Sequence, residues 1–164
     1  MSDMLVKLYE LPPLESALAR QQAQGVMVRR GMAAERHLVT TWVNTHFNDH
    51  WASETAVAFT HQPVTCYLAV RQQEILGFAC YDVAAPNFFG PTGVQPTGQH
   101  QGIGTTLLLA CLHNMRAAGY AYAIIGGVGP VDFYRKSVGA VLIPDSSPGS
   151  YAGMLGLDLG GTNE

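Results

Sequence analysis

The 164-residue chain is poor in charge, with Asp, Glu, Lys and Arg together making up 13% of it. Set against 48% hydrophobic residues, this excludes a disordered or highly solvated protein. Its nine basic residues are scattered, with no cluster beyond Arg29-Arg30 and Arg135-Lys136, and the net charge is −3. Strong binding to nucleic acid through phosphate neutralisation is therefore disfavoured. No apolar run approaches the ~18–20 residues of a membrane helix, and Met1-Ser2-Asp3-Met4-Leu5 lacks the basic-then-apolar start of a signal peptide. The three cysteines, Cys66, Cys80 and Cys111, lie in apolar patterns without CxxC spacing. They read as reduced, buried thiols and point to the cytoplasm. Repeats and low-complexity stretches are lacking too, and the length is that of one domain with a real core.

What is present is concentrated in one stretch, from Val94 to Leu108. A strand ending is followed by a loop with glycines at 102 and 104, and an amphipathic helix begins almost at once. Such a turn leaves several backbone N–H groups at the helix start without intrahelical partners, all facing one way. With the positive end of the helix dipole they form a site for a phosphate or pyrophosphate. Glycine at Gly102 and Gly104 removes the Cβ that would hold the ligand's oxygens off the backbone.

Two familiar phosphate loops fail here. A dinucleotide fingerprint needs a third small residue where Leu107 stands. A P-loop needs a lysine, and none lies within 94–110. The pattern met is Gln/Arg-x-x-Gly-x-Gly/Ala, in Gln99, Gly102 and Gly104. With Val94 and Pro96 upstream and Leu107-Leu108 downstream, it resembles the coenzyme A-binding motif of the GNAT superfamily of N-acetyltransferases. A second segment, Val131 to Ala140, resembles that family's Phe/Leu-Tyr-x-x-x-Gly-Phe signature. Phe133, Tyr134 and Gly139 fall in the pattern with one extra residue before the glycine, and Ala140 replaces the usual aromatic. Gly126 and Gly127 occupy the region where the family often has an asparagine. The resemblance is specific over about 94–140 and architectural over 26–93.

Along the chain, Leu11-Pro12-Pro13 breaks any early element, and Leu14 to Gln24 reads as a short helix. Residues 1–25 are expected to form an N-terminal extension lying against a domain that spans 26–159, with 160–164 a frayed tail. Within that domain the pattern predicts a strand at 26–30, a helix at 33–47 and a second helix from His50 to about Phe59. Thr65–Val70 and Ile75–Val83 read as a hairpin, followed by a strand at 87–94. The helix from Ile103 to Ala118 has its apolar face at 103, 107, 108, 111, 112 and 115 and ends at Gly119. Tyr120 to Gly126 reads as a strand buried on both faces. The Tyr134 helix, a strand near 140–143 and a final strand near 150–159 follow. This order predicts an α+β fold, a central mixed β-sheet of about seven strands flanked by helices on both sides.

The resemblance implies an acyltransferase that moves an acetyl group from acetyl-CoA to a primary amine of a small molecule or peptide. It implies that Val94, Gln95, Pro96, Gln99, Gln101, Gly102, Ile103, Gly104 and Thr105 bind the cosubstrate, with the pyrophosphate on the amides around Gln101 to Thr105. The strands carrying Val94 and Tyr120 would splay apart to admit the pantetheine arm. The N–H of Val94 or Gln95 would donate to the thioester oxygen, since Pro96 has none. Tyr134 would be the general acid for the leaving thiolate, a role suited to a phenol protonated at neutral pH. No metal is implied. A catalytically silent acyl-CoA-binding or regulatory domain on the same fold is the alternative.

No acidic residue lies on the Val94 strand. Asp82 and Asp132 are nearest by order, and each reads more readily as a strand-end or helix N-cap residue than as a general base. His100 reads as a solvated loop histidine. His46 and His50 are spaced i, i+4 on one expected helix, without a third ligand to suggest zinc. Ser146-Ser147-Pro148-Gly149 is a turn that could also rim an acceptor pocket. Trp42, Phe47, Trp51, Phe88 and Phe89 are mostly core, with 47–51 and 86–91 able to line an apolar cleft. The apolar late strands, 140–143 and 154–157, leave room for a homodimer through exposed edges.

Overall fold

In the computed structural model, residues 1–156 are described. Seven strands form one sheet: β1 (Met4–Lys7), β2 (Met27–Arg30), β3 (Cys66–Arg71), β4 (Glu74–Tyr81), β5 (Phe88–Val94), β6 (Tyr122–Ile125) and β7 (Val141–Leu142). Their spatial order is β2-β3-β4-β5-β6-β1-β7. All neighbours are antiparallel except β5 and β6, which run parallel. Five helices complete the fold: α1 (Leu14–Ala23), α2 (Arg36–His46), α3 (Asp49–Ala58), α4 (Ile103–Ala117) and α5 (Val131–Val138).

Alternation along the strands sends side chains to two cores. Cys66, Leu68, Phe78 and Cys80 pack with Val39 and Val43 of α2 and Ala58 of α3. Ala69, Ala79 and Tyr81 pack on the other face with Leu107, Leu108, Leu112 and Met115 of α4. This is the two-sided α+β arrangement expected from the element order. The β3–β4 hairpin closes through Gln72 and Gln73, both at positive φ (49° and 65°), the turn hand that matches strand twist.

The N-terminal residues do more than lie against the domain. Met4, Val6 and Leu8 are wholly buried, and β1 is inserted between β6 and β7, with Met4 opposite both Ile125 and Leu142. The expected helix after Pro13 exists and packs on α4. That is why Thr106, Leu109 and Ala110 of α4 are buried as well as the sheet-facing stripe.

Two strand expectations change. The strand over 120–126 is not buried on both faces: Ala123 and Ile125 are buried, but Tyr122 is exposed beside Tyr9, ring centroids 5.8 Å apart. The final strand near 150–159 does not form over 150–156, where a 3-10 turn at Gly149–Tyr151 leads into further turns. Residues 157–159 and the tail lie outside the described residues. The seventh strand is supplied by β1 instead. The late strand β7 sits at the sheet edge with Val141 and Leu142 exposed.

Candidate active site

Helix α4 starts at Gly102, whose φ of 78° lies in the left-handed region that glycine tolerates best. Helical bonding begins when the Thr106 N–H donates to the Gly102 carbonyl at 3.1 Å, and the Thr106 hydroxyl donates to the same oxygen at 3.0 Å. Among the described residues the N–H groups of Gly102, Ile103, Gly104 and Thr105 have no backbone acceptor. The turn itself is braced. Gln101 Nε2 donates to the Thr97 carbonyl at 3.0 Å, and Gln99 Nε2 reaches the Val94 carbonyl at 3.4 Å. From α1, buried Gln21 donates through Nε2 to the Gln101 carbonyl at 2.8 Å.

Gly104 acts differently from Gly102. A Cβ built there would touch only Phe133 and Val94, each at 3.7 Å, so the surrounding protein leaves room for one. Gly104, Phe133 and Val94 all line the same cleft.

Strands β5 and β6 pair only at Phe88–Ile124 and Phe89–Ile125, and β6 ends there. From Gly90 to Val94, β5 runs on with its β6-facing edge open. Register decides which amide faces the gap. Gln95 stands opposite Leu76 and its N–H donates to the Leu76 carbonyl at 2.9 Å. Hydrogen-bonded and non-bonded pairs alternate in an antiparallel ladder, so Val94, opposite Gly77, turns its N–H away from β4 and into the gap. Of the two expected donors, Gln95 is thus already engaged and Val94 is free. A Cβ on Gly93 would overlap the far edge of the Phe47 ring, which would have to shift to admit it.

Tyr134 on α5 closes the far wall. Its ring packs edge-on to Phe89 (6.3 Å) and Phe133 (5.0 Å), and it is only 6% exposed. Burial pushes its phenol up to about 12. The extra residue before Gly139 is absorbed by the helix end: Gly139, at φ 66°, donates to the Arg135 carbonyl at 3.0 Å. Ala140 is buried in the core where the resembling motif has an aromatic.

One cleft of about 1190 Å³ connects these features. Of the cosubstrate residues expected from sequence, Val94, Gln99, Gly102, Ile103, Gly104 and Thr105 line it, as does Tyr134. Gln95, Pro96 and Gln101 do not, and serve the ladder and the turn. His100 also lines the cleft. At its other end stand Trp51 and Glu54 of α3, with Pro148, Tyr151 and Met154. The expected acceptor-lining segments are therefore at the cleft, although Phe47 itself lies beneath Gly93.

Sequence reasoning missed Glu54. Burial holds its carboxyl above the ordinary carboxylate range, with His50 acting in the opposite sense. The two acids nearest by order lie elsewhere. Asp82, at φ 55°, accepts from the Asn87 N–H at 2.7 Å and from the Tyr120 hydroxyl at 3.3 Å. Asp132 is in the first turn of α5, where Pro130 is the N-cap, and it accepts from Arg135 at 2.8 Å. His46 and His50 do not share a helix. α2 ends at His46, which stacks on Trp42 at 4.4 Å, and α3 begins only at Asp49. Among the described residues no group of three His, Cys, Asp or Glu is placed to hold a metal. None of the described helices is long and apolar enough to cross a membrane.

The Acetyltransferase (GNAT) family profile matches residues 33–140, well over half of the chain, and the chain belongs to that family. No curated protein sequence matches it. Among solved structures it is similar to the GCN5-related glucosamine N-acetyltransferase region of a fungal multi-domain beta-N-acetylglucosaminidase, with TM-score 0.69, 14% identity and 87% of this chain covered. A GCN5-related N-acetyltransferase from Sphaerobacter thermophilus gives TM-score 0.64 and 18% identity over 87% of this chain. The chain spans only 19% and 48% of those two proteins. An aminoglycoside acetyltransferase from an uncultured soil metagenomic sample, solved with trehalose, gives TM-score 0.51 and 14% identity, covering 70% of this chain and 88% of its own. At such identities these neighbours speak for the fold.

Proposed function

We propose that the protein transfers an acetyl group from acetyl-CoA to a primary amine of a small molecule or peptide, by direct attack. The observation that carries this reading is the single cleft joining the free amides of α4, the free Val94 N–H and Tyr134. Its volume lies above the roughly 300–1,000 Å³ of ordinary ligand clefts, in keeping with a long cosubstrate plus an acceptor. Gly104 supports the fit, since it lines the cleft in the first turn of α4, where a pyrophosphate would rest.

Acetyl-CoA supplies an activated acetyl thioester; this chain's residues do the rest. The amides of Gly102 to Thr105 hold the pyrophosphate on the positive end of α4. Val94 donates to the thioester oxygen as charge builds there, an interaction worth several kcal/mol in comparable sites. Tyr134 gives its proton to the departing thiolate. A phenol held at about 12 stays protonated at neutral pH and available for that step.

Thiol release from acetyl-CoA in the presence of an amine panel tests the activity. Acetyl-CoA binding without thiol release on any amine would favour the silent acyl-CoA-binding reading. The three buried free thiols are in keeping with a reducing, cytoplasmic setting. A second copy would pair through the exposed β7 edge, and light scattering decides: a mass near the 17.6 kDa monomer sinks the homodimer.

A further inference from the structure

Beyond Tyr134 the cleft runs into an end that holding acetyl-CoA does not require. Trp51 and Glu54 of α3 line it together with Phe89, Pro91, Tyr151 and Met154. Tyr151 is seated over the end of β6; a Cβ on Gly126 would come within 2.7 Å of its hydroxyl. A second hollow of about 310 Å³ adjoins this end and shares Glu54, Tyr151 and Met154 with it. Glu54 therefore stands in the wall between the reaction cleft and a side opening.

Formal charge in the cleft is sparse: the Met1 amino group, which donates to the Ser147 hydroxyl, and the Glu54 carboxylate. Among the lining residues described there is no Lys or Arg, and Glu54 is the sole carboxylate. No hydrogen bond or ion pair among the described residues uses that carboxylate. A half-buried, unpaired carboxylate is costly and is relieved by a cation. One acid matches one ammonium, whereas a polyamine would leave further charges against Trp51, Phe89 and Met154. An acceptor bearing phosphate or carboxylate would find no Lys or Arg in the cleft, only the Met1 amino group already donating to Ser147.

We infer that this end takes a primary monoamine on an apolar body of aromatic size, and that Glu54 receives the ammonium proton. The inference rests on the acetyltransferase reading above. Glu54 takes one proton from the ammonium, and the freed nitrogen lone pair forms the bond to the thioester carbon. The C–S bond breaks, its electron pair leaves on sulfur, and Tyr134 protonates that thiolate. The nitrogen's surplus proton returns to the Tyr134 phenolate, and Glu54 releases its proton to solvent through the side opening. One ammonium and one thioester thus give one amide, one thiol and one proton.

The titratable groups beside Glu54 are His50, one turn earlier on α3, and Tyr151. Tyr151 is neutral until about pH 12, raised by burial and then by the charges of Glu54 and Asp3. Asp3 is tied to the Gly127 N–H at 2.8 Å, and the Met1 amino group to the Ser147 hydroxyl at 3.1 Å.

The test compares phenethylamine, spermidine, glucosamine and glucosamine 6-phosphate as acceptors at saturating acetyl-CoA, for wild type, Glu54→Gln and Glu54→Asp. Phenethylamine is expected to give the highest kcat/KM. Glu54→Gln should lower it about a hundredfold and abolish the acid limb of the pH profile, with partial rescue in Glu54→Asp. Acetyl-CoA affinity by calorimetry should be the same in all three proteins. Faster transfer to any other probe, no transfer to phenethylamine, or an unaltered Glu54→Gln profile overturns the assignment. Acetyl-CoA binding in the wild type separates the two claims: if it is intact, only the acceptor inference falls; if it is absent, the acetyltransferase reading falls with it.

Discussion

Gln21 on α1 and Gln101 in the glycine turn, 80 positions apart, are joined by a 2.8 Å hydrogen bond from the Gln21 amide to the Gln101 carbonyl. The same Nε2 lies 3.1 Å from where a Cβ on Gly102 would sit, so α1 presses directly on the start of α4. The N-terminal segment thus fixes the turn whose amides face the cleft.

Removing that brace should loosen the turn without touching the ligand. Gln21→Ala is expected to cost about 1 kcal/mol in denaturant unfolding. It should also weaken acetyl-CoA binding by about three- to tenfold, as read by calorimetry, because the amides are no longer held in advance. Gln21→Glu should be worse, since it sets a buried carboxylate against a carbonyl oxygen. Unchanged affinity in both variants would detach α1 from the site.

Tyr134→Phe keeps the ring contacts with Phe89 and Phe133 and removes only the hydroxyl. Turnover should fall by about 10²–10⁴-fold with acetyl-CoA affinity unchanged. Unaltered kcat with a competent amine would make Tyr134 a packing residue.

The same burial has a stability consequence. With the folded phenol at about 12 against an ordinary 10.0, the folded state holds this proton more tightly than the unfolded one. Its contribution is therefore complete below pH 10 and is lost as pH rises through about 12. Urea titrations of wild type and Tyr134→Phe above pH 10 should show the wild type losing more stability.

The glycine turn, α4 and the β3–β4 hairpin were legible in the sequence because each is a local pattern: φ-permissive glycines, a helical stripe, two short alternating runs. Strand β1 was not. Met4, Val6 and Leu8 do alternate, but the run is short and its partners are Ile125 to Tyr122, a pairing no local signal announces. Pro12 and Pro13 made the segment look peripheral. Glu54 was hidden for a related reason. On α3 it is one acid in a weakly amphipathic helix, and only tertiary packing brings it to Tyr151. The choice between Val94 and Gln95 needed the register with β4, which a single strand's sequence does not contain. The expected last strand failed because glycines at 149, 153 and 156, all at positive φ, turn the chain instead of extending it.

Acetyl-CoA binding to Gly104→Asp is the most direct test of the site. The new Cβ meets only Phe133 and Val94 at 3.7 Å, so the fold accepts it. A carboxylate in the first turn of α4 favours the helix by about 0.3–1 kcal/mol. The thermal midpoint should hold or rise, while calorimetry should show affinity reduced by about a hundredfold or more, because the carboxylate occupies and repels the pyrophosphate position. A folded Gly104→Asp protein that binds acetyl-CoA as tightly as the wild type would contradict the assignment of this turn as the cosubstrate site.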